Sequence, residues 1–194
     1  MAEMKIAISG THSTGKSTFI EQLEKALSEY RIGIVRDLAT AARDHGFPIL
    51  RDHTFSSTMW MMARGVALEQ EAALHHDLVV VDRPIMEPIA YLRAALKTQD
   101  RAITEAEDAC LHAVARSYAF TYAVLIKTVV DPTIPISTEK ERDHDTAFRL
   151  LADQEIHALY ERLGCQVVEL RHGDNAARDA LIQDITSRLA TRHA

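Results

Sequence analysis

Residues 10–17 read Gly10-Thr11-His12-Ser13-Thr14-Gly15-Lys16-Ser17, a complete G-x-x-x-x-G-K-[ST] pattern set directly after a strand-like apolar run and directly before a helical one. The spelling has a physical cause. A loop that wraps its backbone N–H groups around a polyphosphate must turn sharply and approach the anion closely, which favours glycine at Gly10 and Gly15. Lys16 adds a mobile positive charge at the outer phosphates, and the Ser17 hydroxyl can be offered to Mg²⁺. The helix that follows points its positive end at the same phosphates. We therefore expect Gly10, His12, Ser13, Thr14, Gly15, Lys16, Ser17 and Thr18 to cradle the phosphates of a nucleotide. A strand whose carboxyl end meets a helix amino end is also the repeating unit of a parallel α/β sheet.

The rest of the chain agrees with that unit. Short runs rich in Val and Ile alternate with longer helical patterns, as in a parallel sheet covered by helices on both faces. The runs predict strands at 5–9, 32–35, 78–82, 122–126 and 165–169. Between the first two, Phe19, Leu23 and Leu27 recur every four residues beside Glu21, Glu24 and Lys25, which makes an amphipathic helix. Further helices are expected over 55–74, 87–96, 104–119, 145–163 and 176–190. At 194 residues the chain suits one domain, residues 1–194. With 47% apolar and 26% charged residues, 7 Gly and 5 Pro, it is neither disordered, collagen-like nor a turn-dense β-sandwich.

One stretch breaks the alternation. Residues 128–145 read TVVDPTIPISTEKERDHD, with two prolines, no helical period and a dense charged end. An irregular segment of this length inside a compact domain is expected to be an active-site lid. Lys140, Arg142 and Arg149 at its end could swing over the phosphates, and Arg142 is the expected catalytic cation.

A phosphate cradle of this kind needs a carboxylate at the end of a neighbouring strand to hold the metal's water shell, and Leu78-Val79-Val80-Val81-Asp82 supplies Asp82. Motor-type ATPases commonly carry a glutamate next, to activate water. Here the next residue is Arg83, whose guanidinium suits a transferring phosphoryl group. Neither N-K-x-D nor D-x-x-G occurs, so a GTPase switch is excluded.

The balance of 22 Lys+Arg against 28 Asp+Glu gives a net charge of −6, which disfavours a nucleic-acid partner without excluding a local basic groove. The two cysteines, 55 positions apart, are expected to be reduced structural thiols, and with no signal-type leader or apolar span the chain is expected in the cytoplasm, away from membranes. His75-His76-Asp77 lacks a third ligand at matching spacing and is not expected to bind metal.

The residues G-T-H-S-T-G-K-S-T, then V-R-D after the second strand, then D-L-V-V-V-D-R-P-I-M-E-P-I-A-Y, resemble the P-loop nucleoside and nucleotide kinases. The similarity is closest to the group that includes the nicotinamide riboside kinase domains. It covers most of the chain, including R-D-H-D-T-A-F-R-L-L-A-D-Q-E-I-H-A-L-Y-E-R-L-G, similar to the segment leading out of the lid. The resemblance implies a five-stranded parallel sheet, ATP as phosphoryl donor, and Asp37, preceded by Arg36, as the base. Relatives often carry Glu there with Arg three residues on, where this chain has Asp37 and Thr40. They also tend to carry Asp where Glu87 stands.

The expected activity is an ATP- and Mg²⁺-dependent phosphotransfer to a small nucleoside-like acceptor. Lys16, Arg83 and Arg142 would neutralise the transferring group, Asp37 would receive or orient the acceptor proton, and Ser17 with Asp82 would hold Mg²⁺. The acceptor pocket is expected between the helix bearing Trp60 and residues 37–44, with Arg36, Asp37, Arg83, Glu87 and Tyr91 as polar contacts and Trp60 as an aromatic wall; for the Met59–Met62 cluster, plain core packing is the competing reading. Two rival functions remain open at this point, an ATP-sensing module with incidental hydrolysis and a P-loop kinase acting on a polynucleotide end or modified base.

Overall fold

The apolar runs pair into one sheet. The computed structural model describes residues 4–130 and 145–193. Strands β1 (Met4–Ser9), β2 (Ile32–Val35), β3 (Leu78–Asp82), β4 (Val124–Thr128) and β5 (Val168–Leu170) lie in the order β2-β3-β1-β4-β5, each neighbouring pair parallel. Helices α1 (Lys16–Ala26), α2 (Leu38–Asp44), α3 (Phe55–Ala73), α4 (Glu87–Thr98), α5 (Glu105–Ala119), α6 (Thr146–Leu163) and α7 (Asn175–His193) connect them, with a 3₁₀ turn at Leu50–Asp52. This is the five-stranded parallel α/β fold expected from the sequence.

The pleat divides the strand side chains between two cores. Ala7, Val35, Val79, Val81 and Leu125 face one layer, where Met62 of α3, Ile89 and Leu92 of α4, Leu111 of α5 and Ile156 of α6 meet them. Ile6, Ile8, Leu78, Val80 and Ile126 face the other, against Phe19 and Leu23 of α1 and Leu181, Ile185 and Leu189 of α7. With a core on each face, the central strands are largely apolar instead of alternating, most plainly at Leu78–Val81 of β3. Near the amino end of β1, Lys5 pairs with Glu69 of α3 at 2.7 Å. Tyr122 donates to the same carboxylate at 2.8 Å and accepts from the Ile85 N–H at 3.3 Å, which ties α3 and the chain after β3 to the sheet.

Two strands sit later than the sequence predicts. Tyr122 closes the end of α5 through its N–H to Ala119, so β4 begins at Val124. Gly164, at φ +67°, and Cys165 cap α6 through N–H bonds to Glu161 and Tyr160, a paired arrangement that ends a helix on a left-handed glycine. Cys165 is thus spent on the cap, and β5 starts at Val168. Helix α2 has no counterpart among the predicted elements. The larger part of the expected lid, residues 131–144 with Lys140 and Arg142, lies outside the described residues. Among the described residues no helix is long and apolar enough to cross a membrane.

All five strands run the same way, so their carboxyl ends share one edge. The register pairs Ile8 with Asp82 and Val35 with Val81. The starts of the 10–15 loop, of the Arg83 turn and of α2 are therefore gathered side by side at that edge.

Candidate active site

The loop after β1 turns through three residues with positive φ, two of them glycines. Gly10 has φ +128°, Ser13 +56° and Gly15 +89°. Gly10 is required by sterics as well, because a Cβ there would lie 2.4 Å from Thr128 Oγ1 and 2.8 Å from its carbonyl oxygen. Thr128 closes the loop from below by donating to Ser9 O at 3.0 Å and standing 2.6 Å from Thr14 Oγ1. Lys16 is 6% exposed, and its ammonium donates to Gly10 O at 2.8 Å and Thr11 O at 2.6 Å, folded back across the loop. Helix α1 starts at Lys16 without a side-chain cap, and Ser17 and Thr18 are exposed on its first turn. Uncapped N–H groups on a glycine-rich turn at a helix amino end form an anion-binding concavity.

Asp82 ends β3 beside Ile8, and its Oδ1 is buried with no hydrogen-bond partner among the described residues. Arg83 follows in the left-handed region at φ +75°, a conformation non-glycine residues avoid, held there by its N–H bond to Ile8 O at 2.9 Å. Its side chain runs back along α4. There the guanidinium pairs with Glu87 and donates to Tyr91 Oη at 2.9 Å. Glu87 is 1% exposed and fully engaged, since its Oε2 also accepts from Ser9 Oγ at 2.6 Å and from the Gly10 N–H at 3.1 Å. One carboxylate thereby couples the first residue of the phosphate loop to Arg83. Burial, opposed by Arg83, raises the Tyr91 phenol above its ordinary range, so it keeps its proton.

A cavity of about 110 Å³ opens beside this cluster. Its polar wall is His12, His53, Arg83, Glu87 and Tyr91; its apolar wall comes mainly from Leu38 and Ala39 of α2, Ile49, Met61 of α3 and Pro88. His53 stacks on Tyr91 with ring centroids 5.9 Å apart. Its Nδ1 donates to Leu50 O at 3.1 Å, and its Nε2 is buried with no partner among the described residues. Burial, with a smaller push from Arg101, lowers its pKa to about 4, so the ring is neutral at pH 7. Arg101 also fixes the main chain here by donating to His53 O at 3.0 Å.

The expected acceptor contacts separate into three groups. Arg83, Glu87 and Tyr91 line the cavity together with His12 of the loop. Arg36 and Asp37 lie at the right edge of the sheet but are exposed, 3.7 Å apart, and the cavity wall begins one residue later at Leu38. Asp37 holds φ +65° at the start of α2. Trp60 is not among the lining residues. It packs on Phe47 and His45, with ring centroids 5.0 and 5.1 Å away, while Met61 turns to the cavity in its place. The phase of α3 is set by the Thr54–Ser57 capping box, and one residue along a helix rotates the side chain by about 100°.

Two arginines stand against the phosphate loop. Arg149 of α6 is 4% exposed and reaches toward Ser13 O, 3.5 Å from Nη2. Arg178 of α7 is buried, with Nη2 3.1 Å from the position a Cβ on Gly15 would take. Arg178 went unnoticed in the sequence, although it occupies the apolar stripe of its helix, where a charged residue is itself a signal.

The family model described as an AAA domain matches residues 5–178, and the chain belongs to that family. No curated protein sequence matches it. Among solved structures it is similar to deoxyadenosine kinase from M. mycoides with bound dCTP, with a TM-score of 0.65 and 14% identity over 95% of this chain and 100% of that one. It is similar to NadR in complex with NAD and AMP-PNP, with a TM-score of 0.67 and 13% identity over 96% of this chain and 49% of that one. Thymidylate kinase from Ehrlichia chaffeensis gives 0.61 and 17% identity over 95% of this chain and 100% of that one. At these identities the likeness is one of fold, shared with small P-loop kinases.

Proposed function

We propose that the protein transfers a phosphoryl group from ATP to a nucleoside, nucleotide or related small riboside held in the cavity beside the phosphate loop. The observation that carries the reading is the junction of that cavity with the loop: Arg83 and Glu87 line it, and Glu87 also binds the Gly10 N–H. The fold likeness to kinases whose structures hold dCTP or AMP-PNP supports the same reading. A cytoplasmic ATP pool would be the donor source.

The residues at the carboxyl edge fit Mg²⁺. Asp82 presents a buried oxygen with no partner among the described residues, and Ser17 is exposed on the first turn of α1. When bound, the ion would neutralise the outer phosphate oxygens and fix their geometry. Lys16 would exchange its two carbonyl contacts for phosphate oxygens. Arg83, anchored by Glu87 and Tyr91, would stabilise the charge of the transferring group without reorganising. Asp37 would orient the acceptor hydroxyl and take its proton, Arg142 would act from the lid, and His53 Nε2 would accept a hydrogen bond from the acceptor.

Filling the cavity tests this. Ala39→Phe should abolish acceptor-dependent ADP release from a panel of nucleosides and leave ATP affinity unchanged. Unaltered acceptor-dependent turnover in a folded Ala39→Phe protein would remove the cavity from the mechanism.

A further inference from the structure

Arg178 heads the stripe by which α7 packs on the sheet. Leu181, Ile185 and Leu189 continue that stripe at three- and four-residue steps and are 7%, 0% and 0% exposed, while Arg178 itself is 8% exposed. Its Nε is buried without a hydrogen-bond partner, and no carboxylate pairs with it among the described residues. Burying part of a guanidinium without an acceptor costs stability, and a bound anion would offset that cost. Its neighbour is the phosphate loop. Nη2 lies 3.1 Å from where a Cβ on Gly15 would stand, so glycine at this position lets the guanidinium rest against the backbone of the phosphate loop.

We propose that Arg178 is a further cation of the donor site, binding the nucleotide's phosphate chain from α7 at the Gly15 side of the loop; this rests on the nucleotide reading above. Arg83 comes from the turn after β3 and Arg149 from α6, whereas Arg178, like Lys16 of α1, comes from the layer on the opposite face of the sheet to α4 and α6.

The test measures binding of inorganic tripolyphosphate and of ADP by calorimetry, beside the melting temperature of the ligand-free protein. Arg178→Met should weaken both ligands about tenfold or more, the loss expected for a charge-assisted contact. Arg178→Lys should recover part of it. Because the charge is unpaired without ligand, Arg178→Met should melt no lower than the parent. Parental affinity for both probes in Arg178→Met overturns the proposal. So does a lower melting temperature with an equal binding loss in Arg178→Lys, which makes the arginine a structural support of the loop. Lys16→Ala separates the two levels. If it loses tripolyphosphate while Arg178→Met does not, only the role of Arg178 fails; if both bind as the parent does, the nucleotide reading fails with it.

Discussion

Replacing Glu87 by alanine should cost the protein more stability than its single position implies, because its carboxylate serves three donors at 1% exposure. Removing one partner of a buried ion pair leaves the other uncompensated, at about 3–5 kcal/mol. Arg83 keeps 28% of its side chain exposed and still reaches Tyr91, which places its share toward the lower end. Ser9 Oγ can rotate to another acceptor, but the Gly10 N–H cannot, and an orphaned buried donor costs about 1–3 kcal/mol. These contributions share one site and do not add fully, so a total of about 4 kcal/mol is expected. For a domain of this size that is a fall of about 8–16 °C in melting temperature. Glu87→Gln keeps the volume and one carbonyl acceptor and should lose about half as much. Scanning calorimetry at pH 7 reads both. An Ala variant within about 2 °C of the parent, a small fraction of the expected shift, would show that the Ser9–Gly10–Arg83 coupling carries no energy.

Three further outcomes follow from local geometry. His53 has a folded pKa of about 4 against an ordinary 6.5, so its contribution is complete above pH 6.5 and is lost as pH falls through about 4. That amounts to about 3 kcal/mol, and thermal melts from pH 7 to 4 should fall less steeply in His53→Gln; equal slopes would contradict a buried neutral ring. Gly10→Ala should unfold or cripple the loop because of Thr128, whereas Gly46→Ala, at φ +80° with nothing within 4 Å, should cost only about 1 kcal/mol in urea melts. Trp60→Ala should lower stability through lost packing on Phe47 and His45 without changing the acceptor KM, and a selective rise in KM would restore Trp60 to the pocket.

The central strands β1, β3 and β4 were legible because strands buried on both faces are largely apolar, and the phosphate loop because its spelling follows from its chemistry. Local closure was not legible. Tyr122 and Cys165 look like strand residues but are consumed by helix caps, and a cap is decided by where the preceding helix stops. Helix α2 spans Leu38–Asp44, too short for its period to stand out. The wall at Ile49, Leu50 and His53 comes from an irregular stretch around a 3₁₀ turn, with no periodicity to announce it. For Trp60 both core packing and a pocket wall are compatible with the sequence, because its direction depends on the phase of α3, fixed by Thr54 and Ser57. Glu87 was recognised as a site residue, but its saturation by Ser9, Gly10 and Arg83 rests on pairings that only the folded chain brings together.

Phosphoryl transfer itself is tested most directly by following γ-labelled ATP in the presence and absence of a nucleoside and nucleotide panel. The label should appear in a phosphorylated acceptor, with ADP formed in equal amount and much faster than without acceptor, and Lys16→Ala should abolish the transfer. Label released only as inorganic phosphate, at a rate that no acceptor changes, would contradict a kinase and leave a nucleotide-binding protein that hydrolyses ATP incidentally.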